Sequence, residues 1–528
     1  MSVLLYALLV FLFGRALHRS DAAALFVPKI TEHAAGNSIE SERMALLDFK
    51  KSISDPNNRL SSWAMGQDCC SWEGVRCDNI TGNVIGLELG EHDLQLKGEI
   101  SPSLLQLQHL NYLDLSHNYF YGTTIPSFIS QLKELRYLDL SYSYFSGPIP
   151  ASFGNLSNLL TLDLSENVLF ISDPVDHEWL SHLTSLQHLY MSGVTFGSNS
   201  SSKSLFLALN KLPAIEEIGL SRCQFESIPL SIPPSKLLNL EHLDLSNNHI
   251  RSSNSSATGI AKKHKQSFDA NLDGDIPDWM GDIKNLKGIS SSVPDWFWNL
   301  ISVNLTSLSM SENQIEGMLP KFSTSIQWKT IDLSSNRFYG PLPGFLGSSI
   351  SSINLSNNSF SGSISHMIAE NMLALSRNPF SSVYLSMNKL NGTVPSSLCP
   401  IKGLQSLGIS DNNLSGELPD CWWNSTKLSQ LDLSNNKLTG GIPDSISYAS
   451  QLMQLRLSHN KLSGEIPASL KDCSQLDVLD LSYNNFTGSI PIWVGESLSR
   501  LVVLILRSNT FIGHIPEEIS QLQICTNP

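Results

Sequence analysis

The sequence predicts an elongated α/β repeat solenoid built around one long parallel β-sheet. Three observations predict this fold. The motif L-x-L-S-x-N recurs along the chain, its asparagines near the carboxyl end are spaced by 24 or 25 residues, and the motif L-x-G-x-I-P or a variant of it, such as L-x-G-x-L-P or F-x-G-x-I-P, follows many copies. A unit of this size cannot bury its own leucines, so neighbouring units must stack to form a continuous core.

Each L-x-L-S-x-N copy predicts a short strand, because its leucines alternate with a period of two and so share one buried face. The asparagine that follows is expected to turn its amide inward and satisfy backbone groups at the turn. Cys223 occupies one of these positions, where it is interpreted as a small buried residue rather than a reactive thiol. Sixteen units align at His92, Asn118, Ser143, Asn167, Val194, Cys223, Asn248, Asn313, Asn336, Asn358, Asn388, Asn412, Asn436, Asn460, Asn484 and Asn509.

The second half of each unit predicts a tight bend followed by the end of strand pairing. In Leu462–Pro467, for example, glycine permits the bend and proline has no N–H to donate to a further strand. Sixteen strands at about 4.8 Å each would form a sheet roughly 75 Å long.

The repeat pattern is interrupted in two places. A serine run at Ser198 and Ser200–Ser202 predicts a surface loop. Between Asn248 and Asn313 the spacing is irregular, and residues 251–300 are interpreted either as degenerate repeats or as an inserted binding loop, with weak order. The regular repeats are therefore assigned to residues 84–250 and 301–528.

The overall composition argues against nucleic acid as a partner. The 528 residues contain 34 Lys and Arg against 48 Asp and Glu, a formal net charge of −14. Phosphate binding requires concentrated basic charge, which this chain lacks. The 8 cysteines are too few to build a disulfide scaffold, although they can staple parts of a larger fold.

The amino end predicts export. Val3–Phe13 is an apolar run of the length of a signal-peptide core, and Ala22–Ala24 supplies small residues for cleavage, so residues 1–24 are assigned as a signal peptide and 25–38 as a flexible segment. The alternative is a buried amino-terminal helix. No later apolar run reaches 18 residues, which predicts a secreted chain without a membrane helix of its own.

Glycosylation is predicted at the N-x-S/T asparagines, which are Asn79, Asn155, Asn199, Asn254, Asn304, Asn354, Asn357, Asn391, Asn413, Asn424 and Asn485.

Residues 39–83 predict a helical cap that covers the first unit. The segment Glu42–Lys51 has apolar residues at helical spacing, and the segment Cys69–Cys77 reads C-C-S-W-E-G-V-R-C. These segments resemble the amino-terminal domain of plant leucine-rich-repeat proteins, and the repeats resemble the plant-specific leucine-rich repeat over about residues 84–520. The resemblance implies a curved right-handed solenoid with the parallel sheet on its concave face and a second, smaller sheet beside it.

Two disulfides are expected. The cap that this segment resembles has a further cysteine near the position of Ser38 and two disulfides. Because this chain has serine there, the resemblance implies that one of Cys69 and Cys70 pairs with Cys77 and that the other lacks its family partner. A metal site at these cysteines is a poor alternative, because no further ligands follow at zinc spacing. Cys399 and Cys421 lie about one unit apart and are predicted to form a bridge. Cys473 and Cys525 have no evident partner.

The motifs do not indicate catalysis, a metal or a cofactor. His177 and His182 are five residues apart, one too many for two zinc ligands on one helix face. The aspartates of the L-D-L-S motifs recur with the repeat, which favours a scaffold role over a single catalytic constellation.

Binding is therefore the predicted activity, on the side chains that flank the buried leucines. The candidate contact residues are Tyr112, His117, Tyr137, Tyr142, His188, Tyr190, Arg456 and Arg507. Tyrosine and histidine offer flat apolar area with a polar tip, and the two arginines, interpreted as lying on one row, could pair with acidic groups of a ligand. The alternative is that these residues only decorate a sheet rich in β-formers.

The order of elements, with D-H-E-W-L-S-H-L, R-C-Q-F-E-S-I-P and L-S-G-E-L-P-D-C-W-W, resembles the disease-resistance and elicitor-binding receptor-like proteins of plants. This resemblance implies the ectodomain of a receptor at the outer face of the plasma membrane. The ectodomain would recognise a pathogen-derived or endogenous peptide or protein and signal through partner receptor kinases. The chain is expected to be cut off before the carboxyl cap and membrane segment of that family. The alternative is a secreted leucine-rich-repeat inhibitor of microbial wall-degrading enzymes, acting in the apoplast.

Overall fold

The fold was analysed in a computed structural model. It describes residues 39–90, 95–171, 174–196, 199–226, 237, 239–250, 305–320, 329–344, 350–365, 381–398, 401, 403–421 and 426–522. The predicted signal peptide, the segment 25–38, the irregular segment 251–300 and the first aligned position, His92, lie outside the described residues.

One parallel sheet, the inner sheet, runs through the described part of the chain and confirms the predicted solenoid. Its strands pair in series, each with the next strand along the chain, and each belongs to one predicted unit. We number the units 1 to 16 by these strands, which are Val84–Glu88, Tyr112–Asp114, Tyr137–Asp139, Thr161–Asp163, His188–Tyr190, Glu217–Gly219, His242–Asp244, Ser307–Ser309, Thr330–Asp332, Ser352–Asn354, Ser382–Tyr384, Ser406–Gly408, Gln430–Asp432, Gln454–Arg456, Val478–Asp480 and Val503–Ile505.

The strands are in register, so equivalent residues form straight rows across the units. Leu113 pairs with Leu138, which pairs with Leu162, and all three are fully buried. The burial of these leucine, isoleucine and valine side chains in one core supplies the main driving force for folding. Strand Val75–Cys77 pairs antiparallel with unit 1 and begins the sheet.

A ladder of buried side-chain amides connects successive units, as predicted. Asn118 Nδ2 donates to the carbonyl oxygen of Leu89 in the preceding unit at 2.7 Å, and its Oδ1 accepts the N–H of Leu96 at 2.8 Å. The same donation to the preceding unit is made by Asn167, Asn248, Asn313, Asn336, Asn358, Asn388, Asn412, Asn436, Asn460, Asn484 and Asn509. Each amide thereby pairs backbone groups that would otherwise be buried without a partner.

Two of the units without asparagine keep the same bond with a smaller group. Ser143 Oγ donates to the Leu115 carbonyl at 2.7 Å, and Cys223 Sγ donates to the Met191 carbonyl at 3.2 Å. Cys223 is fully buried, in agreement with its interpretation as a ladder residue. Val194, in unit 5, fills the position with an apolar side chain.

Short strands in the second half of the units form the flank sheets, beside the inner sheet. The amino-terminal flank strands are Ser146–Pro148, Val168–Ile171 and Thr195–Phe196. The later ones are Glu316–Gly317, Arg337–Pro341, Ser359–Ser363, Lys389–Gly392, Asn413–Glu417, Lys437–Thr439, Ser463–Gly464 and Asn485–Phe486. A further short strand, Lys97–Gly98, pairs antiparallel with Ile53–Ser54 of the cap.

Helical segments connect most flank strands to the next inner strand. Most are 3-10 helices, at Pro102–Gln106, Ser127–Gln131, Ala151–Asn155, Pro174–His182, Ser396–Leu398, Asp444–Tyr448, Ala468–Asp472 and Glu517–Gln521, and Trp493–Ser497 is a short α-helix.

The predicted serine loop is wrong, because Asn199–Leu209 is an α-helix. Leu205, Phe206 and Leu209 follow the serines at helical spacing and are buried in the core, which outweighs the loop preference of the serine run.

The cap is a helix, Glu40–Ser52, with two 3-10 segments, Arg59–Ser62 and Cys69–Ser71. Phe49, Trp63 and Trp72 are buried, and the two tryptophan rings stack with centroids 5.4 Å apart. A carboxylate oxygen of Glu42 accepts the N–H of Val84 at 2.7 Å, which fixes the cap helix to the first inner strand. Burial raises the pKa of Glu42.

None of the helices within the described ranges is both long enough and apolar enough to cross a bilayer.

Candidate ligand-binding face

Two rows of side chains flank the buried leucines of the inner sheet, one residue before each leucine and one after it. We call them the leading row and the trailing row. In units 2 to 7 the leading row carries Tyr112, Tyr137, Thr161, His188, Glu217 and His242 in register. Three of the eight predicted contact residues, Tyr112, Tyr137 and His188, therefore lie in one row, and Tyr190 lies in the trailing row beside them.

The amino-terminal part of the leading row holds a rigid stack. The rings of Tyr112 and Tyr137 lie 4.2 Å apart at an interplanar angle of 4°, and the Arg76 guanidinium lies 4.5 Å from the Tyr112 ring centroid. Gly86 leaves room for this arginine, because a Cβ there would lie 2.8 Å from Arg76 Nε. Arg76 also pairs with Glu88 at 2.6 Å, so the stack is held in place before any ligand arrives.

Burial changes the chemistry of the stacked hydroxyls. It raises the pKa of Tyr112 to about 12 and also raises the pKa of Tyr137, so both remain neutral donors at physiological pH. The Tyr137 hydroxyl donates to Asp139 Oδ2 at 3.3 Å. The structure thus places both tyrosines as half-buried groups with side-chain partners.

Beside the stack, the trailing row is acidic over four consecutive units, at Glu88, Asp114, Asp139 and Asp163. Oδ1 of each of these three aspartates accepts the N–H of the serine two residues later, at 2.8 or 2.9 Å. Asp139 is buried, and burial together with the charges of Asp163 and Asp114 raises its pKa. This part of the face therefore combines aromatic area with negative charge.

The next units join histidines, a tyrosine and carboxylates in a polar network. His188 Nδ1 lies 3.2 Å from Thr161 Oγ1, and its Nε2 lies 3.9 Å from Glu216 Oε2. The Tyr190 hydroxyl donates to Glu217, whose other oxygen lies 3.9 Å from His242 Nε2. The ring of Tyr190 also covers Gly219, where a Cβ would lie 2.9 Å from Tyr190 Cδ1.

His117 and Tyr142 occupy the turn position just before the ladder residue and form a second stack, with centroids 4.7 Å apart. Units 14 and 15 repeat this arrangement with His459 and Tyr483, whose centroids are 4.1 Å apart, and the Arg507 guanidinium lies 5.2 Å from the Tyr483 centroid. The four stacked residues share a left-handed φ between 52° and 55°. Sequence reasoning missed His459 and Tyr483, although S-H-N recurs at both ends and S-Y-S of unit 3 is matched by S-Y-N of unit 15.

The interpretation of the two arginines needs one correction. Arg456 lies in the trailing row, but Arg507 does not, because the residue in register with Asp480 is Ile505. Arg507 is displaced by two residues and stacks on Tyr483 instead. Arg456 is half-buried between Asp432 and Asp480 in register, so its charge faces carboxylates of its own sheet.

The structure pairs Cys70 with Cys77 and buries Cys69 beside them. The three sulfur atoms lie within 4.8 Å of one another, but a disulfide between two of them leaves no thiolate set for a metal. Cys421 is disulfide-bonded, and its predicted partner Cys399 lies outside the described residues.

The histidine pair weighed as a zinc site is not arranged for metal binding. His177 is buried in the segment Pro174–His182, its ring stacks on Phe196 with centroids 5.9 Å apart, and its Nδ1 lies 3.0 Å from Ser204 Oγ. His182 is exposed. The stacking on Phe196 and the contact with Ser204 therefore account for the buried position of His177.

The predicted glycosylation asparagines fall mostly outside the inner sheet. Asn79, Asn155, Asn357, Asn391, Asn413 and Asn485 are exposed. Asn354 is the exception, because it lies in the trailing row, is half-buried and donates to Asp332 Oδ2 at 3.3 Å. The side chains of Asn199, Asn254, Asn304 and Asn424 are outside the described part of the chain.

Comparison with known proteins agrees with the architecture. Family models match residues 39–78 (leucine rich repeat N-terminal domain), 87–317 (leucine-rich repeat region), 403–425 (leucine rich repeat) and 426–486 (leucine rich repeat), which together cover more than half of the chain.

Curated relatives include two receptor-like proteins of Solanum lycopersicum. EIX1 is 35% identical over 56% of this chain and 26% of its own length, and EIX2 is 36% identical over 67% of this chain and 34% of its own length. The chain thus spans only about a quarter to a third of these relatives.

Among solved structures, the Arabidopsis receptor kinase HAESA ectodomain in complex with an IDA peptide hormone is 26% identical. The match covers 92% of this chain and 80% of that one, with a TM-score of 0.63. The plant peptide hormone receptor RGFR1 in complex with RGF2 is 25% identical over 86% and 66% of the two chains, with a TM-score of 0.61. The chain belongs to the leucine-rich-repeat proteins, and its homologues are plant receptor-like proteins.

Proposed function

We propose that this chain is the non-enzymatic, ligand-binding ectodomain of a plant cell-surface receptor-like protein. The inner sheet binds a peptide or protein ligand in defence signalling, outside the cell, and the signal passes to partner receptor kinases. The observation that carries the proposal is the continuous aromatic and polar surface of units 2 to 7, whose members are already held by stacks and hydrogen bonds.

Preorganisation makes this surface suitable for binding. Ordering a free tyrosine at an interface costs about 0.5–1.5 kcal/mol in side-chain entropy. This cost is smaller for Tyr112 and Tyr137, because their rings are already ordered by stacking before a ligand binds. Tyr142, 44% exposed, offers a ring edge and a hydroxyl to a partner. Tyrosines in such settings are frequent anchors of protein interfaces.

The charge of the face supports a ligand with basic groups. The acidic trailing row of units 1 to 4 holds part of the excess negative charge of this chain, whose net charge is −14, and Arg76 beside it is already paired with Glu88. A cationic side chain of a peptide would be attracted to this row, whereas an anionic ligand would be repelled.

The distribution of glycosylation sequons also supports the inner face. The exposed sequon asparagines lie in the cap, in a 3-10 segment, in one turn and on the flank sheets, so glycans there would leave the stacked rings accessible. The similar solved structures with TM-scores above 0.6 are described as receptors in complex with peptide hormones, which supports a peptide as the ligand class.

A binding experiment with secreted protein tests the proposal. The chain is immobilised and exposed to microbial culture filtrate and to plant extracellular fluid, each with and without prior protease digestion. We expect binding that digestion of the fluid abolishes, and that Tyr142→Ala weakens at least tenfold. Tyr448→Ala is the matched control, since Tyr448 is a similarly exposed tyrosine in the 3-10 segment Asp444–Tyr448. Equal effects of the two substitutions would count against the inner face.

The secreted-inhibitor alternative predicts a different outcome. An inhibitor would lower the activity of microbial wall-degrading enzymes at stoichiometric concentration, without any partner kinase. A receptor ectodomain would leave those activities unchanged and would co-precipitate with a receptor kinase ectodomain once the ligand is supplied.

A further inference from the structure

A second surface, distinct from the inner sheet, carries exposed apolar side chains. We call it the flank strip and define it by Tyr119, Tyr121, Tyr144, Val168 and Phe170. These residues flank the buried Phe120, Phe145 and Leu169 in units 2 to 4. Their exposures range from 37% for Tyr119 to 69% for Tyr121.

The equivalent positions of later units have a different composition. In units 2 to 4, five of the six outward positions are apolar and the sixth is Ser146. Units 9 to 15, whose buried flank residues run from Phe338 to Phe486, have fourteen equivalent outward positions. Thirteen of these positions are polar, and only Tyr339 is aromatic. These later positions include Lys389, Lys437 and Lys461 and the sequon asparagines Asn391, Asn413 and Asn485.

The backbone of the flank is similar in the early and the later units, so the fold alone does not explain this difference in composition. The buried residue of a flank strand is needed for the core, but its outward neighbours are free to be polar, and the later units show that polar residues suffice. Exposed apolar side chains that cluster in one place usually mark an interaction surface. The strip also carries no sequon, so no glycan would shield it.

Contacts within the strip hold its rings in fixed positions. Tyr119 lies 5.1 Å from Tyr144 and 5.9 Å from Tyr121, measured between ring centroids. The Lys97 ammonium lies 5.3 Å from the Tyr119 centroid. Rigid aromatic side chains of this kind lose little entropy when a partner covers them.

The charges at the edge of the strip indicate what covers it. Lys97 and Glu99 are both exposed, lie two residues apart on one extended segment, and cancel in net charge. A neutral strip with one cation beside one anion is complementary to itself under a twofold axis, because each lysine can meet the glutamate of the other copy. The later flank units instead carry Lys389, Lys437 and Lys461 at their outward positions, so their described flank surface is more basic than the flank strip.

We propose that the flank strip is the contact between two copies of this chain, packed side by side with Lys97 of each copy opposite Glu99 of the other. The tyrosine and phenylalanine rings form the centre of the contact and the two charge pairs form its rim. The inner sheets of both copies remain open. This inference does not depend on the proposed ligand-binding function, because it concerns a different face.

Sedimentation equilibrium on the secreted, glycosylated chain tests the proposal. We expect a monomer–dimer equilibrium whose dissociation constant rises at least tenfold with Tyr121→Asp or Phe170→Asp. Thr439→Asp is the matched control, because Thr439 is exposed at the equivalent outward position of a later flank strand, and it should leave the constant unchanged. A chain that stays monomeric up to about 100 µM overturns the proposal, as does a Tyr121→Asp variant that dimerises like the wild type.

A charge exchange tests the pairing itself. Lys97→Glu should weaken the dimer, because a second glutamate would then face Glu99 of the other copy, and the double variant Lys97→Glu with Glu99→Lys should restore it. Failure of the double variant to recover the dimer would refute the twofold arrangement. Circular dichroism of every variant verifies that the fold is retained, and loss of the dimer should not alter binding at the inner sheet.

Discussion

The side-chain amide of Asn436 donates to the carbonyl oxygen of Ile409, 27 residues earlier, at 3.0 Å. Its Oδ1 accepts the N–H of Leu414 at 3.0 Å, so one buried side chain joins two backbone groups of the preceding unit. Two further carbonyls, of Leu433 and Ser434, accept from the same amide.

We predict that Asn436→Ala lowers the free energy of unfolding by about 2–4 kcal/mol, because it leaves several buried backbone groups without a partner. Urea unfolding followed by circular dichroism measures the loss, and faster hydrogen exchange of the Leu414 N–H should locate it. Lys437→Ala, one residue away and exposed on a flank strand, is the control and should change stability by less than about 0.5 kcal/mol. An Asn436→Ala chain as stable as this control would contradict the role of the ladder.

The raised pKa of Asp139 predicts that the stability of the fold depends on pH. Its pKa is raised in the folded chain by burial and by Asp163 and Asp114, so the folded state favours the protonated form more than the unfolded state does. This contribution is fully present below the unfolded pKa of about 3.9 and is lost as pH rises through the folded pKa. Asp139→Asn keeps an oxygen for the Ser141 N–H and turns its NH2 toward the Tyr137 hydroxyl, which can accept from it. It should raise the melting temperature at pH 7.5 by about 2 °C or more.

The same substitution should have little effect near pH 4, where the carboxyl of the wild type is largely protonated. Asp444→Asn, at an exposed position, serves as the control and should give the same small change at both pH values. Equal stabilisation of Asp139→Asn at both pH values would argue against titration as the cause.

Cys473 should resist alkylation in the folded chain. It is fully buried, its Sγ donates to the Ile446 carbonyl at 3.4 Å, and burial raises its pKa to about 12. At pH 8 its thiolate fraction is therefore about a thousandfold below that of a thiol with pKa 9. Mass spectrometry after iodoacetamide treatment should find Cys473 unmodified in buffer and modified in 8 M urea, and Cys223, whose pKa burial also raises, should behave alike.

Gly219 and Gly408 form a matched pair in the trailing row. A Cβ at Gly219 would lie 2.9 Å from Tyr190 Cδ1, whereas one at Gly408 would lie 3.2 Å from Tyr384 Cδ1. Because the Tyr190 hydroxyl is also held by Glu217, we expect Gly219→Ala to cost about 1 kcal/mol and Gly408→Ala clearly less. Thermal unfolding of the two variants measures the difference, and a larger cost at Gly408 would count against the constraint on Tyr190.

Glycan mapping tests the sequon assignments. Asn357 and Asn413 are exposed and should carry glycans in secreted material, whereas Asn354 should stay largely unmodified because its amide is half-buried and bonded to Asp332. Glycosidase release in ¹⁸O-water followed by peptide mass spectrometry distinguishes the sites. Asn357, in the turn three residues after Asn354, is the internal control for accessibility to the glycosylating enzyme.

The ladder and the strand rows could be predicted from sequence because they depend only on residues that recur at fixed spacing. Asn118 and Asn509 lie at opposite ends of the solenoid, yet each has the leucine pattern that determines its contacts. The stack of Tyr112 on Tyr137 was only partly predictable. Both tyrosines were identified as surface residues, but their contact depends on an in-register sheet that brings residues 25 apart within 4.2 Å.

Other features depended on contacts that no local pattern contains. The helix Asn199–Leu209 forms because Leu205 and Leu209 reach the core, and the serine run before them indicated the opposite. His459 and Tyr483 were missed because each is unremarkable within its own unit. Arg507 was assigned to the wrong row because the last inner strand places Ile505, not Arg507, opposite Asp480.

The ladder also has a consequence for how such a chain can vary. In the described chain twelve rungs join the rung before them through the same Asn amide bond, so these junctions are chemically interchangeable. Duplication, loss or exchange of a whole rung therefore preserves the junctions and changes only which outward side chains become neighbours. A new combination of rings and charges on the inner wall can arise by recombination alone, with no core residue altered.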